Sequence, residues 1–252
     1  MPVISPVSEN SGFTLVELVI AIVIAGILAT VALRSGKTIS DISRVEETKA
    51  ELDALATAIA GNATLANNSV RTDFGYVGDV GALPANLDAL YTNPGGYATW
   101  RGPYIPNRFS QVADDYKKDS WGVDYTFGST TITSTGGGTS IVRKVAEASS
   151  DLTINRVTGI LYDLDGTPPG STYKDSITLR LTIPNGTGST ITKTKTPNAG
   201  GFFTFDSIPI GNHDLQVIYK PLNDTTSRFV TVTPKSTVYN EHAFSTNLWV
   251  SP

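Results

Sequence analysis

The sequence predicts an α+β chain: one long N-terminal helix packed on a small antiparallel sheet, then an all-β sandwich. Three observations carry that reading. A membrane-length apolar run near the N-terminus continues into an amphipathic pattern with helical spacing. A middle stretch rich in Gly, Pro and Tyr holds only short alternating runs. From Leu152 onward, β-rich runs recur between Gly, Pro and Asn turns every 8–12 residues or so, which is the rhythm of a sandwich.

Composition narrows the function classes. The chain has 252 residues, enough for one large domain or two small ones, each with a core. Hydrophobic residues at 40% against 17% charged exclude a disordered chain. A net charge of −4 gives no electrostatic footprint for nucleic acid, so no nucleic-acid partner is expected. The absence of cysteine removes disulfides, thiol nucleophiles and thiolate zinc sites together. No nucleophile elbow, P-loop or dinucleotide fingerprint is present, and nothing assembles a nucleophile, base and orienter. The chain therefore reads as a non-enzyme with no catalytic residue, no cofactor and no metal.

The segment "SGFTLVELVIAIVIAGILATVAL" runs from Ser11 to Leu33. From Phe13 its apolar stretch spans about 31 Å as a helix, the thickness of a bilayer core. A secretory signal would have a basic n-region, a shorter apolar core and a cleavage site after it. Here the leader Met1–Gly12 has no Lys or Arg, and the apolar run is longer. Glu17 is the odd residue, because a carboxylate inside such a segment is costly and marks a functional position. The bland alternative is a residue close enough to the interface to snorkel.

"GFTLVE" followed by an unbroken apolar helix resembles the class III signal of type IV prepilins and type II secretion pseudopilins. That resemblance implies cleavage between Gly12 and Phe13 by a prepilin peptidase, with N-methylation of Phe13. It makes residues 1–12 a leader and leaves the apolar run 13–33 on the mature protein as both anchor and assembly element. The chemistry then accounts for Glu17. Cleavage creates a positive α-amine on Phe13, and Glu17 of a neighbouring subunit can neutralise it inside an apolar bundle. An unpaired member is expensive there, so the pair enforces register. The leader departs from the family in lacking basic residues. Arg34 stands where many relatives have proline, so no kink is expected at that point, and Gly26 is the weak point that remains.

Beyond Leu33 the helix is expected to continue to Ala60, roughly 70 Å from Phe13. Ile39, Ile42, Val45, Leu52, Leu55, Ala56 and Ile59 form its apolar stripe, with acids and bases between them. Gly61 and Asn62 stop it. Residues 61–150 form the head, expected to open with loops through "GNATLANNS" and "FGYVGDVGALP". "ALPANLDALYTNPGGYATWRGPYIP" and "KKDSWGVDYTF" resemble the head of the major pseudopilin of type II secretion. Val123–Phe127 and Ser129–Ser134 are expected as paired strands, punctuated by Pro103, Pro106 and Gly122. Trp100 and Trp121 are expected as core and loop anchors. That family can hold calcium in its final loop, but "TSTGGGTSIVRKV" offers no carboxylate. Asp114, Asp115 and Asp119 lie upstream and read as surface acids, so no metal is expected.

Residues 151–252 form the sandwich. "V.G.LYD.DG.P" and "GGFFTF..IPIGNHDLQV.Y" resemble transthyretin-like or carboxypeptidase-regulatory domains, and less closely other immunoglobulin-like modules. "DLDG" at Asp163–Gly166 reads as a turn. His213 and His242 are far apart in sequence and suggest no shared site. The sandwich is expected to be an autonomous interaction module whose removal spares assembly.

Together these readings imply a structural subunit of a type IV pilus or secretion pseudopilus. Its partners would be other pilin subunits, the prepilin peptidase, the inner-membrane assembly platform and, before assembly, membrane lipid. It would cross the inner membrane once, then enter a periplasmic or extracellular filament. The alternative, from another class, is a membrane-anchored binding protein or adhesin that never polymerises.

Overall fold

The computed structural model describes residues 14–105 and 114–249. The leader, Phe13 and Pro106 lie outside the described residues. The chain divides into two compact units between Glu46 and Glu47. The architecture is α+β, as the sequence predicts: a long helix and then antiparallel strands in several sheets.

In the first unit lies most of helix α1, Leu15–Ala60, which is unbroken at both Gly26 and Arg34. Every residue from Thr14 to Ser40 is exposed. Ile39 and Ile42 are exposed with them, so the expected core-facing stripe is corrected. It starts at Thr48 and continues through Leu52, Leu55 and Ile59, where the head supplies a surface to bury it.

The second unit opens on that buried end of α1. Gly61 takes a left-handed φ of 77°, and the Arg71 Nη2 donates to the Ala60 carbonyl at 2.5 Å, satisfying a helix-end acceptor. Asp73 accepts from the Asn62 and Gly75 backbone N–H groups at 2.7 and 3.0 Å. Both expected loops contain structure. "GNATLANNS" holds most of a two-stranded hairpin, β1 Ala66–Asn67 with β2 Val70–Arg71. "FGYVGDVGALP" holds helix α2, Gly75–Val80, whose Tyr76, Val77 and Val80 are buried. Its glycines masked the helical pattern, but packing against the core outweighs their propensity cost of about 1 kcal/mol each.

Strands β3 Thr126–Phe127, β4 Thr131–Ser134 and β5 Ile141–Lys144 form the antiparallel head sheet. The first two fall inside the expected pair, shortened; β5 carries a mostly exposed pattern and left little apolar signal. The sheet packs on α1 through Ile132 and Tyr125, beside Leu52, Leu55 and Ile59. Trp100 packs against this core and donates its Nε1–H to the Ala89 carbonyl at 2.9 Å.

The sandwich has two sheets. The larger has the order β11–β10–β7–β8, all antiparallel, from Asp224–Val232, Gly211–Tyr219, Ile177–Pro184 and Thr190–Lys195. The smaller places β6, Asn155–Tyr162, between β9, Phe202–Ile208, and β12, Thr237–Ala243. The β12–β6 pair is parallel, while β6–β9 is antiparallel. Alternate residues turn inward: Val157, Leu161, Leu179, Leu181, Phe205, Leu215 and Val217 share one core. Each such burial contributes roughly 1.5–3 kcal/mol. Phe244, Tyr219 and Trp249 close one end with edge-on rings 5.5–6.2 Å apart.

Within this unit the sandwich is seated on the head rather than hung from it. Leu152 and Ile210 are fully buried members of the head's core. Short helix α3, Ser149–Thr153, leads in, and the Ile210 N–H donates to the Leu152 carbonyl at 2.9 Å. Gly186 N–H donates to Val80 O at 2.8 Å, and Thr99 N–H to Gly188 O at 3.2 Å. Gly81, with φ +85°, lies where a Cβ would stand 2.6 Å from the Pro184 carbonyl oxygen. Only glycine lets α2 end this close to β7.

Candidate functional site

The N-terminal segment presents Glu17 at the start of α1. The Thr14 hydroxyl accepts the Glu17 N–H at 3.2 Å, while Glu17 Oε2 accepts from Thr14 N–H and Oγ1 at 3.4 Å each. This is a reciprocal cap, and Thr14-x-x-Glu17 ahead of an apolar run is its signature. The sequence reading missed that local role. Both carboxylate bonds are long, so Glu17 is held loosely. Its proposed partner, Phe13, and the cleavage residue Gly12 lie outside the described residues. Around Glu17 the exposed surface is Leu15, Val16, Leu18, Val19, Ile20, Ile22 and onward. The apolar window of α1 is long enough to cross a membrane and has 0% of its residues buried.

In the head, Asp119 turns out to be a buried clamp rather than a surface acid. It is 4% exposed. Oδ1 accepts from the Trp121 and Val123 backbone N–H groups at 3.0 Å; Oδ2 accepts from Ser134 Oγ at 2.6 Å and Gly136 N–H at 3.0 Å. A Cβ at Gly136 would collide with the Asp119 carboxylate itself, and one at Gly137 with the Trp121 ring. Four converging donors suit an anion, not a cation's ligand shell. Asp114 pairs with Lys117 at 3.3 Å, and among the described residues no group of three or more His, Asp or Glu side chains converges.

Burial raises the Asp119 pKa, but the Ser134 and backbone donors outweigh it, and the net shift is downward. A depressed carboxylate stabilises the fold above its unfolded pKa, near 4, and loses that contribution as pH falls through the folded value. Asp119→Asn is expected to cost about 1.5–3 kcal/mol at neutral pH, since an amide nitrogen cannot accept. Thermal unfolding at pH 7 and pH 3 is the check: the gap between wild type and variant should shrink in acid.

The two histidines are structural and separate. His213 Nε2 contacts Pro209 O at 2.7 Å, and Arg228 Nη2 donates to His242 Nδ1 at 2.6 Å. Burial first, then Arg228, lowers the His242 pKa to about 4. "DLDG" is a turn: fully buried Asp163 accepts from the Thr167, Leu248 and Trp249 N–H groups at 3.2–3.4 Å. Asp163 thereby ties the Leu248–Trp249 segment to the end of β6.

Comparison with known proteins bears on the N-terminal segment and on part of the chain. Residues 8–33 match the family model of the prokaryotic N-terminal methylation motif. Over 99 residues the chain is 35% identical to type II secretion system core protein G of Xanthomonas campestris pv. campestris. That match covers 38% of this chain and 57% of the relative, a little over half its length. Among solved structures, a dioxygenase domain from Streptomyces sp. SirexAA-E matches with TM-score 0.30 and 11% identity, covering 40% of this chain and 85% of that one. A DUF3823 family protein from Parabacteroides merdae matches with TM-score 0.29 and 13% identity, covering 36% and 46%. Scores this low carry no argument about the sandwich.

Proposed function

We propose that the chain is a structural, non-catalytic subunit of a type IV pilus or type II secretion-like pseudopilus. In this reading the prepilin peptidase cuts between Gly12 and Phe13, and Phe13 is methylated. The subunit waits as a single-pass inner-membrane protein beside the assembly platform. It then packs through α1 into a periplasmic or extracellular filament, with the sandwich as an interaction module. The observation that carries the reading is the methylation motif over residues 8–33 running directly into a helix with no buried residue through Ser40. An exposed apolar surface of that extent needs lipid or neighbouring helices. Ile39 and Ile42, exposed beyond the membrane-length run, extend the same surface toward neighbouring subunits.

Labelling sheared surface and periplasmic filaments with antibody to the sandwich tests this. Regular decoration along filaments is expected. Label confined to membrane fractions, with none on filaments, would favour the non-polymerising adhesin instead.

A further inference from the structure

A second candidate site lies within the second unit, where the outer face of the larger sandwich sheet meets the head. It is an open cleft of ≈ 730 Å³, inside the range of small-ligand sites. Strand register sets one wall. Asp214 on β10 pairs with Thr182 on β7 and with Phe229 on β11, so these three stand in a row across the sheet. Their neighbours Leu181, Leu215 and Val230 are buried in the sandwich core, which turns the row outward. Phe229 is 75% exposed, an unusual state for an aromatic ring on an otherwise polar face. The opposite wall is the head's Asp79, Thr99 and Arg101.

The chemistry of the walls selects a ligand class. Asp79 and Asp214 outnumber the Arg101 guanidinium in the lining, while the Asp73 carboxylate is already taken up by the Asn62 and Gly75 N–H groups, so the cleft is net negative and disfavours phosphate, sulfate or uronate groups. Asp79 is steadied by Tyr104, whose hydroxyl donates to Oδ2 at 2.8 Å, and by Arg101 at 3.8 Å. Among the described residues, the Asp214 carboxylate has no hydrogen-bond partner. Thr182 and Ser189 add hydroxyls that donate and accept. A pyranose ring matches this set: its C–H face stacks on an aromatic ring, and its hydroxyls meet carboxylate acceptors and hydroxyl partners.

We propose that this cleft binds a neutral oligosaccharide, with Phe229 as the stacking platform and Asp214 and Arg101 as hydrogen-bonding groups. The proposal rests on reading the sandwich as an interaction module and names its ligand class, but it does not depend on polymerisation.

The test uses the detergent-solubilised full chain and calorimetric titration with cellohexaose, chitohexaose, mannohexaose, hexagalacturonate and hexalysine. At least one neutral hexaose should bind, and hexagalacturonate should not. Phe229→Ala and Asp214→Ala should each weaken binding about tenfold or more. Lys195→Ala, exposed on β8 outside the cleft, should not change it. All three variants should unfold at the wild-type temperature. The proposal is overturned if no neutral hexaose binds at millimolar concentration, if hexalysine binds more tightly than every hexaose, or if neither cleft variant weakens binding. Filament incorporation of Phe229→Ala separates the two claims: it should stay at the wild-type level whatever the sugar result.

Discussion

Glu17→Val is expected to leave the chain in the membrane and remove it from filaments. Insertion should improve, because a carboxylate at membrane depth costs about 2.5–3.5 kcal/mol. The loss of the Thr14 cap should cost only about 1 kcal/mol, since both bonds to Oε2 are 3.4 Å long. Assembly is another matter: the neighbour's Phe13 amine would be left unpaired in an apolar bundle, a penalty of about 3–5 kcal/mol per subunit. Repeated along a filament, that loss should abolish or misregister it. Glu17→Gln separates charge from cap, because the amide oxygen still accepts from Thr14. Counting subunits in sheared filaments against total membrane protein is the measurement. Wild-type incorporation of Glu17→Val would reduce Glu17 to a snorkelling residue; wild-type incorporation of Glu17→Gln alone would assign it to the cap.

Ending the chain at Asp151 should have an equally large effect, on the fold. The head's core would lose Leu152 and Ile210, which are 1% and 0% exposed. Losing a buried Leu or Ile costs about 2–5 kcal/mol, so the pair approaches the whole stability of a typical domain. Helix α2 would also lose the cover of β7 and β10. The sequence reading expects removal of the sandwich to spare assembly; the seating of Ile210 in the head changes that expectation. The dependence is unequal, because the sandwich keeps its own core from Val157 to Trp249 intact. Residues 152–252 alone should therefore be soluble, β-rich and cooperative in unfolding, whereas the truncated head should be cleaved rapidly by protease. A truncated head that resists proteolysis and enters filaments would show the seam to be dispensable.

What was legible in the sequence followed from periodicity and from short motifs. The apolar run, the continuation of α1 through Arg34, its stop at Gly61 and the alternating runs of β6, β7 and β10 all read directly. Strand β12 did not, because it is a mostly exposed edge whose parallel partner β6 lies some eighty residues earlier. Helix α2 was hidden by Gly75 and Gly78, which intrinsic propensity counts against and which close packing on α1 and Phe74 requires. Asp119 looked like one of several surface acids, since nothing local shows that Ser134 and Gly136 return to donate to it. The cleft was invisible for the same reason. Asp79 and Asp214 come together only through the packing of head on sandwich.

The assembly reading rests on a covalent event at the Gly12–Phe13 junction, and mass spectrometry of the N-terminal peptide from cell envelopes reads that event directly. The expected peptide begins at Phe13 and carries one methyl group on its α-nitrogen. A mature chain that still begins at Met1 would leave no free amine for Glu17 and would contradict the filament subunit outright.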